Sequence, residues 1–220
     1  MAERQFEYHD SEYQASRQEY VKRIREIVER GLPEPKPDWN MVWVLSGAEE
    51  NFEDPSEKGV INQTKNRFET GINIAKMVAK LRTEEMSGDA EPPDFAKYIP
   101  HIYFNGTDKQ NDFIRKIILE KAFEDKYSFP SEKITISPNQ GIRHTGDQFS
   151  LFPKEYIPDK GKLVTVTDLY HIPRAEKYFK KHSIDPEKIV LYPAVPVTLP
   201  VRKALSEAKK IFPYLQQGIL

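Results

Sequence analysis

Residues 163–175 read LVTVTDLYHIPRA, and the reading of this stretch decides the fold. Leu163 to Thr167 is apolar and β-branched, the composition of a buried strand. The pattern breaks at Asp168. Pro173 then suits the first turn of a helix, where its missing N–H costs nothing. A strand thus runs through a short turn into a helix, with Asp168, Tyr170, His171 and Arg174 gathered at the corner. Ligands bind outside the carboxyl ends of strands in open α/β sheets, so this corner is the first candidate site.

Upstream, residues 40–45 (NMVWVL) form an unbroken apolar run, as expected of a central parallel strand covered on both faces. The run ends at Ser46-Gly47, and an acidic loop follows with Glu49, Glu50, Glu53 and Asp54. Residues 64–82 predict a helix with Phe68, Ile72, Ala75 and Ala79 at helical spacing. Residues 83–97, with Pro92-Pro93, predict a loop. Residues 99–104 read as a second strand closed by Asn105-Gly106-Thr107. Residues 113–123 read as a helix with an Ile114, Ile117, Ile118 stripe, and residues 133–137 as a third strand. A glycine-bearing loop covers 138–146, and a short helix is expected within 147–157, ended by Pro158. Downstream, residues 188–192 predict a last strand and 201–212 a closing helix. Strands alternating with helices argue for βαβ units and a mainly parallel sheet.

Residues 11–30 read as an amphipathic helix, with Tyr13, Tyr20, Ile24, Ile27 and Val28 near one face and Gly31 as its stop. Pro33, Pro35 and Pro37 form a stiff connection. The expected organisation is an N-terminal helix and proline-rich connection over 1–37, followed by one α/β domain over 38–220. The helix either packs on the sheet or makes an oligomer contact, with packing the favoured reading.

With 33 basic and 34 acidic side chains among 220 residues, the net charge is −1. No bulk field favours nucleic acid or an anionic membrane. The absence of cysteine excludes disulfides, thiolate zinc sites and a cysteine nucleophile. There is no apolar leader at the N-terminus and no run near 18 apolar residues, so no membrane insertion is expected and a cytoplasmic location is.

No G-x-G occurs, which excludes the usual dinucleotide fingerprint. Gly141 and Gly146 have P-loop spacing, but Asp147 stands where a lysine would neutralise phosphate. No H-E-x-x-H is present, and the five histidines do not pair at i, i+4, so no metal site is assigned. The sequence names no cofactor.

Several blocks together resemble the DUF218 family (YdcF-, SanA- and ElyC-like proteins). The strand ending VLSG resembles the family's VLG opening, and Arg67 with Gly71, Ile72 and Ala75 resembles its arginine-then-helix block. IYFNG stands where the family has a strand ending in SGG. His144-Thr145-Gly146-Asp147-Gln148 resembles NT-x-EN, and VTVTDLYHIPRA resembles VTS-x-YH-x-x-RA, the best match of the set. The blocks occur in the family's order from about residue 40 to 193. Asn105-Gly106-Thr107 replaces the double glycine, Asp168 replaces serine, and His144 replaces asparagine. The resemblance implies a Rossmann-like three-layer sandwich with a polar pocket at the strand ends.

On this reading the ligand is a small anion, phosphate-bearing or nucleotide-like. Ser46, Gly47, Asn105, Gly106, Thr107, Thr145 and Tyr170 line its pocket. Arg67 and Arg174, both placed in first turns of helices, converge on it as planar donors. His171 is the expected acid/base, being the side chain that titrates nearest neutral pH, with Asp168 or Asp147 to orient it. Phosphoester or anhydride cleavage and group transfer are the reactions considered. A non-catalytic sensing module and an interaction protein working through the N-terminal helix are the rival readings.

Overall fold

The computed structural model describes residues 10–47, 58–86 and 95–195. Five strands, β1 (Trp39–Leu45), β2 (His101–Asn105), β3 (Ile134–Ile136), β4 (Lys162–Thr167) and β5 (Ile189–Pro193), form one sheet. Their order is β3-β2-β1-β4-β5, and every neighbouring pair is parallel. The strand order reverses direction across the sheet between β1 and β4, so the carboxyl ends of these two strands are the topological switch point.

Strand alternation sets the two layers. Val42 and Val44 of β1, Ile102 and Phe104 of β2, and Val164 and Val166 of β4 face one side. There they meet Phe68, Ile72, Ala75 and Ala79 of α2 (Lys58–Met86), the stripe expected from the sequence, and Ile114 of α4 (Asp108–Leu119). Met41, Trp43 and Leu45, Tyr103 and Leu163 face the other side. They meet Phe149 of α6 (Thr145–Ser150) and Ala175, Tyr178 and Phe179 of α7 (Ile172–Lys181). The result is a Rossmann-like three-layer α/β sandwich. Gly71 lets α2 lie close on the sheet, because a Cβ there would stand 2.7 Å from Val44 Cγ2.

The N-terminal helix α1 (Asp10–Arg30) buries Tyr20 and Ile24 against Leu169 and Ile172. Tyr20 Oη donates to the Tyr170 carbonyl at 2.7 Å, and Arg23 forks onto Glu176 of α7. The helix is a packing element laid over the β4–α7 corner. Val28, expected on its buried face, is exposed.

Some sequence expectations are corrected. α2 runs to Met86, and Phe95–Tyr98 forms a one-turn helix, α3, so the loop expected over 83–97 is helical at both ends. The helix expected over 113–123 begins earlier, at Asp108, because Thr107 caps it. It stops at Leu119, and a separate turn, α5, covers Phe123–Tyr127. The side chain of Tyr13, the acidic loop with Glu49, Glu50, Glu53 and Asp54, and the helix expected at 201–212 lie outside what the structure describes. Among the described residues no helix is long and apolar enough to cross a membrane.

Candidate functional site

Because the sheet is parallel, Ser46-Gly47, Asn105 to Thr107, Ser137 and Asp168 all fall at its carboxyl edge, as the sequence predicts. The side chains there divide into three groups with different work.

The first group is framework. Thr107 caps α4 in a reciprocal box: its Oγ1 accepts from Gln110 N, and Gln110 Oε1 accepts from Thr107 N at 3.0 Å. Gly106 N donates to Asn111 Oδ1 at 2.8 Å, and a Cβ at Gly106 would stand 2.9 Å from Ser46 Cβ. Asn105 Oδ1 accepts from the Trp43 indole at 2.7 Å, while its Nδ2 donates to the Gln148 carbonyl at 2.8 Å. Gln148 Nε2 returns to the Asn105 carbonyl at 2.9 Å and also donates to Ser46 Oγ. These bonds of Ser46, Asn105 and Thr107, predicted as ligand contacts, thus tie the strand ends to one another.

The second group is a buried ion pair. Arg67 is 1% exposed, and its Nη2 meets Asp168 Oδ2 at 2.5 Å. Its Nη1 donates to the carbonyls of Leu45, at 3.0 Å, and Ser46. Burial alone lowers the guanidinium pKa, but the Asp168 carboxylate, aided by Tyr170, more than offsets this and holds it raised. Arg67 lies well inside α2, not in its first turn, so the helix-dipole argument for an anion at this residue falls. Asp168 serves Arg67 and thereby clamps the β4 end to the β1 end. Tyr170 is pinned beside the pair, its hydroxyl 3.4 Å from Gln63 Oε1.

The third group joins Arg174, His171, Thr145 and Thr167. Arg174 does sit in the first turn of α7, directly after the short 3-10 turn Leu169–His171. Its Nη2 lies 2.6 Å from His171 Nε2 and 3.1 Å from Thr145 Oγ1. Thr145 Oγ1 is itself 3.2 Å from His171 Nε2, and His171 Nδ1 is 2.7 Å from Thr167 Oγ1. A guanidinium only donates, so Nε2 is an acceptor here and the ring proton sits on Nδ1, donated to Thr167. The imidazole is 3% exposed, and the Thr167 hydroxyl holds its Nδ1 side. Asp147, the other acid proposed to orient it, caps α6 instead, its Oδ2 accepting from Arg143 N and His144 N.

Of the buried polar atoms with no hydrogen-bond partner, Thr165 Oγ1 lies within β4, while Thr64 Oγ1, Arg67 Nε and Gln148 Oε1 lie at this edge. Each of these last three belongs to a residue against the Ser46-Gly47 turn. Such atoms cost about 1–3 kcal/mol apiece and are few in native proteins. Among the described residues no group of three acidic or histidine side chains could hold a metal ion. A separate cavity of about 720 Å³ lies between α1, α7 and β5, lined by Ile27, Ile172, Phe179 and Leu191 among others.

Sequence reasoning missed Thr167, Gln148, Gln110 and Thr64. Gln110 had a signal, since T-x-x-Q before an apolar stripe is a capping box. Thr167 had one in its parity with Leu163, which puts it on the α7 side. Gln148 stands at the last position of the NT-x-EN-like block, and Thr64 offered no signal. No family model, curated protein or solved structure matches this chain.

Proposed function

We propose that this chain is a DUF218-like small-molecule enzyme. Its ligand is an anionic, phosphate-bearing or nucleotide-like molecule bound at the carboxyl ends of β1 and β4, for phosphoester or anhydride cleavage or group transfer. The observation that carries the reading is the contact of Arg174, a donor-only cation in the first turn of α7, with His171 and Thr145. An anionic oxygen is a far better acceptor for a guanidinium than either. Arg174 is therefore the anion-binding residue, and His171 the acid/base held beside it in a defined tautomer. Arg67, expected to share the anion, works through the pocket wall instead, since its planar fork is spent on Asp168 and two carbonyls.

A thermal-shift panel of nucleotides, S-adenosylmethionine and sugar or polyprenyl phosphates tests the proposal, because a ligand that binds only the folded chain raises its melting temperature. Calorimetric titration of the best hit should lose roughly ten- to a hundredfold in affinity with Arg174→Ala, as for one charge-assisted hydrogen bond of about 1.5–3 kcal/mol. Arg174→Lys should recover only part, keeping the charge without the fork. Unchanged affinity in Arg174→Ala would remove the anion site. The rival reading, a sensing module of the same fold, draws on the deep burial of His171 with both ring nitrogens engaged. Ligand binding with no turnover of any hit would favour it.

A further inference from the structure

We infer that Thr145 is the nucleophile of this site, and that the substrate's own anion switches it on by drawing Arg174 away from His171. The inference rests on the anion-site reading above and goes beyond it by assigning a covalent step and its trigger.

A serine or threonine nucleophile needs its hydroxyl within reach of a base, and that base oriented by a third group. All three are in place: Thr145 Oγ1 at 3.2 Å from His171 Nε2, and Thr167 Oγ1 at 2.7 Å from Nδ1. Thr145 is half-buried, whereas His171 and Thr167 are buried, so of the three Thr145 lies nearest the surface. Fixed on Nδ1 by Thr167, the ring proton leaves Nε2 to act as the base.

In the resting arrangement that base is engaged. Nε2 has one lone pair in the ring plane, and Arg174 Nη2 approaches it at 2.6 Å, nearer than the Thr145 hydroxyl. The same nitrogen donates to Thr145 Oγ1, which lowers the hydroxyl's electron density. An incoming phosphoryl group competes for the guanidinium with charged oxygens. When Arg174 turns to them, Nε2 is released to Thr145 and the electrophile is delivered to the same place.

The step then balances without a cofactor. Thr145 Oγ attacks phosphorus, the Oγ–P bond forms and the bond from phosphorus to the leaving oxygen breaks. The hydroxyl proton passes to His171 Nε2 and from there to the leaving oxygen. Water attacks the phosphothreonine in the second half, giving its proton to Nε2 as the P–Oγ bond breaks. Thr145 recovers that proton, and an alcohol and inorganic phosphate are the products. Arg174 holds the non-bridging oxygens throughout.

The test uses the full chain with p-nitrophenyl phosphate as substrate and orthovanadate and inorganic phosphate as binding probes. Wild type and Thr145→Ser should release nitrophenolate in a burst, and acid quenching should trap one phosphoryl group on the peptide containing residue 145. Thr145→Val keeps the shape and should lose turnover by roughly 10²–10⁴-fold, the span of a lost activated hydroxyl and its base, with no trapped phosphoryl group. Its melting temperature should still rise with orthovanadate, which a misfolded variant would not show. Turnover by Thr145→Val within tenfold of wild type overturns the nucleophile while the anion site stands. So does a phosphoryl group trapped on another residue, or wild-type turnover with neither burst nor trapped adduct. No melting shift of wild type with either oxyanion, and no turnover, overturns the anion site and this inference together.

Discussion

Asp168→Asn is the substitution through which the buried pair reports most directly. It preserves shape and removes one charge, leaving the Arg67 guanidinium inside the protein with two backbone carbonyls and a neutral amide. The side chains of the pair are 2% and 7% exposed, so water cannot replace the lost carboxylate. Removing one partner of a buried pair costs about 3–5 kcal/mol. For a domain of this size each kcal/mol moves the melting temperature by about 2–4 °C, so a fall of roughly 6–20 °C is expected by calorimetry. Urea unfolding should show the same loss with an unchanged slope, and the loss should persist in high salt, because buried charges are poorly screened. Arg67→Met with Asp168→Asn removes both charges and should recover part of the deficit, a coupling that a double-mutant cycle measures. A melting temperature within 2 °C of wild type for Asp168→Asn, or strict additivity in the cycle, would refute the clamp.

Tyr20→Phe should cost about 1 kcal/mol by urea unfolding, the worth of its hydrogen bond to the Tyr170 carbonyl, and should weaken anion binding slightly by loosening the corner. No change in either would mean that α1 is merely adjacent. Arg82 donates to the carbonyls of Pro37, Trp39 and Tyr98 at the far end of the sheet, so Arg82→Ala should destabilise by about 2–4 kcal/mol without changing anion affinity; a loss of affinity at constant stability would contradict that division. Burial, with Lys133 nearby, lowers the His101 pKa, and burial with Lys181 and Lys154 lowers that of His182. Above pH ~6.5 both rings are neutral folded and unfolded, whereas below it the unfolded chain takes protons that the folded chain refuses, so stability falls as pH drops through and below that value. His101→Gln/His182→Gln should flatten this part of the urea stability profile, and an unchanged pH slope would show that other groups set it.

The sheet was legible because its strands are apolar runs ended by polar corners, and each lies within two residues of its expected bounds. The long helices were legible for a similar reason, since Phe68, Ile72, Ala75 and Ala79 can only be one face. Helix ends were less so. Arg67 was misplaced because the turns of α2 before Thr64 carry little apolar periodicity, which made an interior residue look like a first-turn one. The corner of residues 168–174 announced itself by residue type, yet the sequence could not say which acid meets which base. Asp168 and Asp147 look equally suited to orient His171, and only the fold separates them: one is drawn to Arg67 across the β1 end, the other to the backbone of its own helix. Thr167, a β-branched residue inside a strand pattern, could not be told from sheet filler.

The docking of α1 on α7 also has a consequence in time. Tyr20 and its partner Tyr170 are 150 residues apart in the chain. At a synthesis rate of about 5–20 residues per second, the apolar face of α1 leaves the ribosome roughly 8–30 s before the surface that will cover it. The central strand β1 waits as well, since its neighbours β2 and β4 both come later. Neither can be a nucleus by itself, and such distant pairings are slow to form. A nascent chain stalled before β4 would therefore carry an uncovered helix face and an open strand edge, the two features most apt to recruit a chaperone or another copy of the same chain.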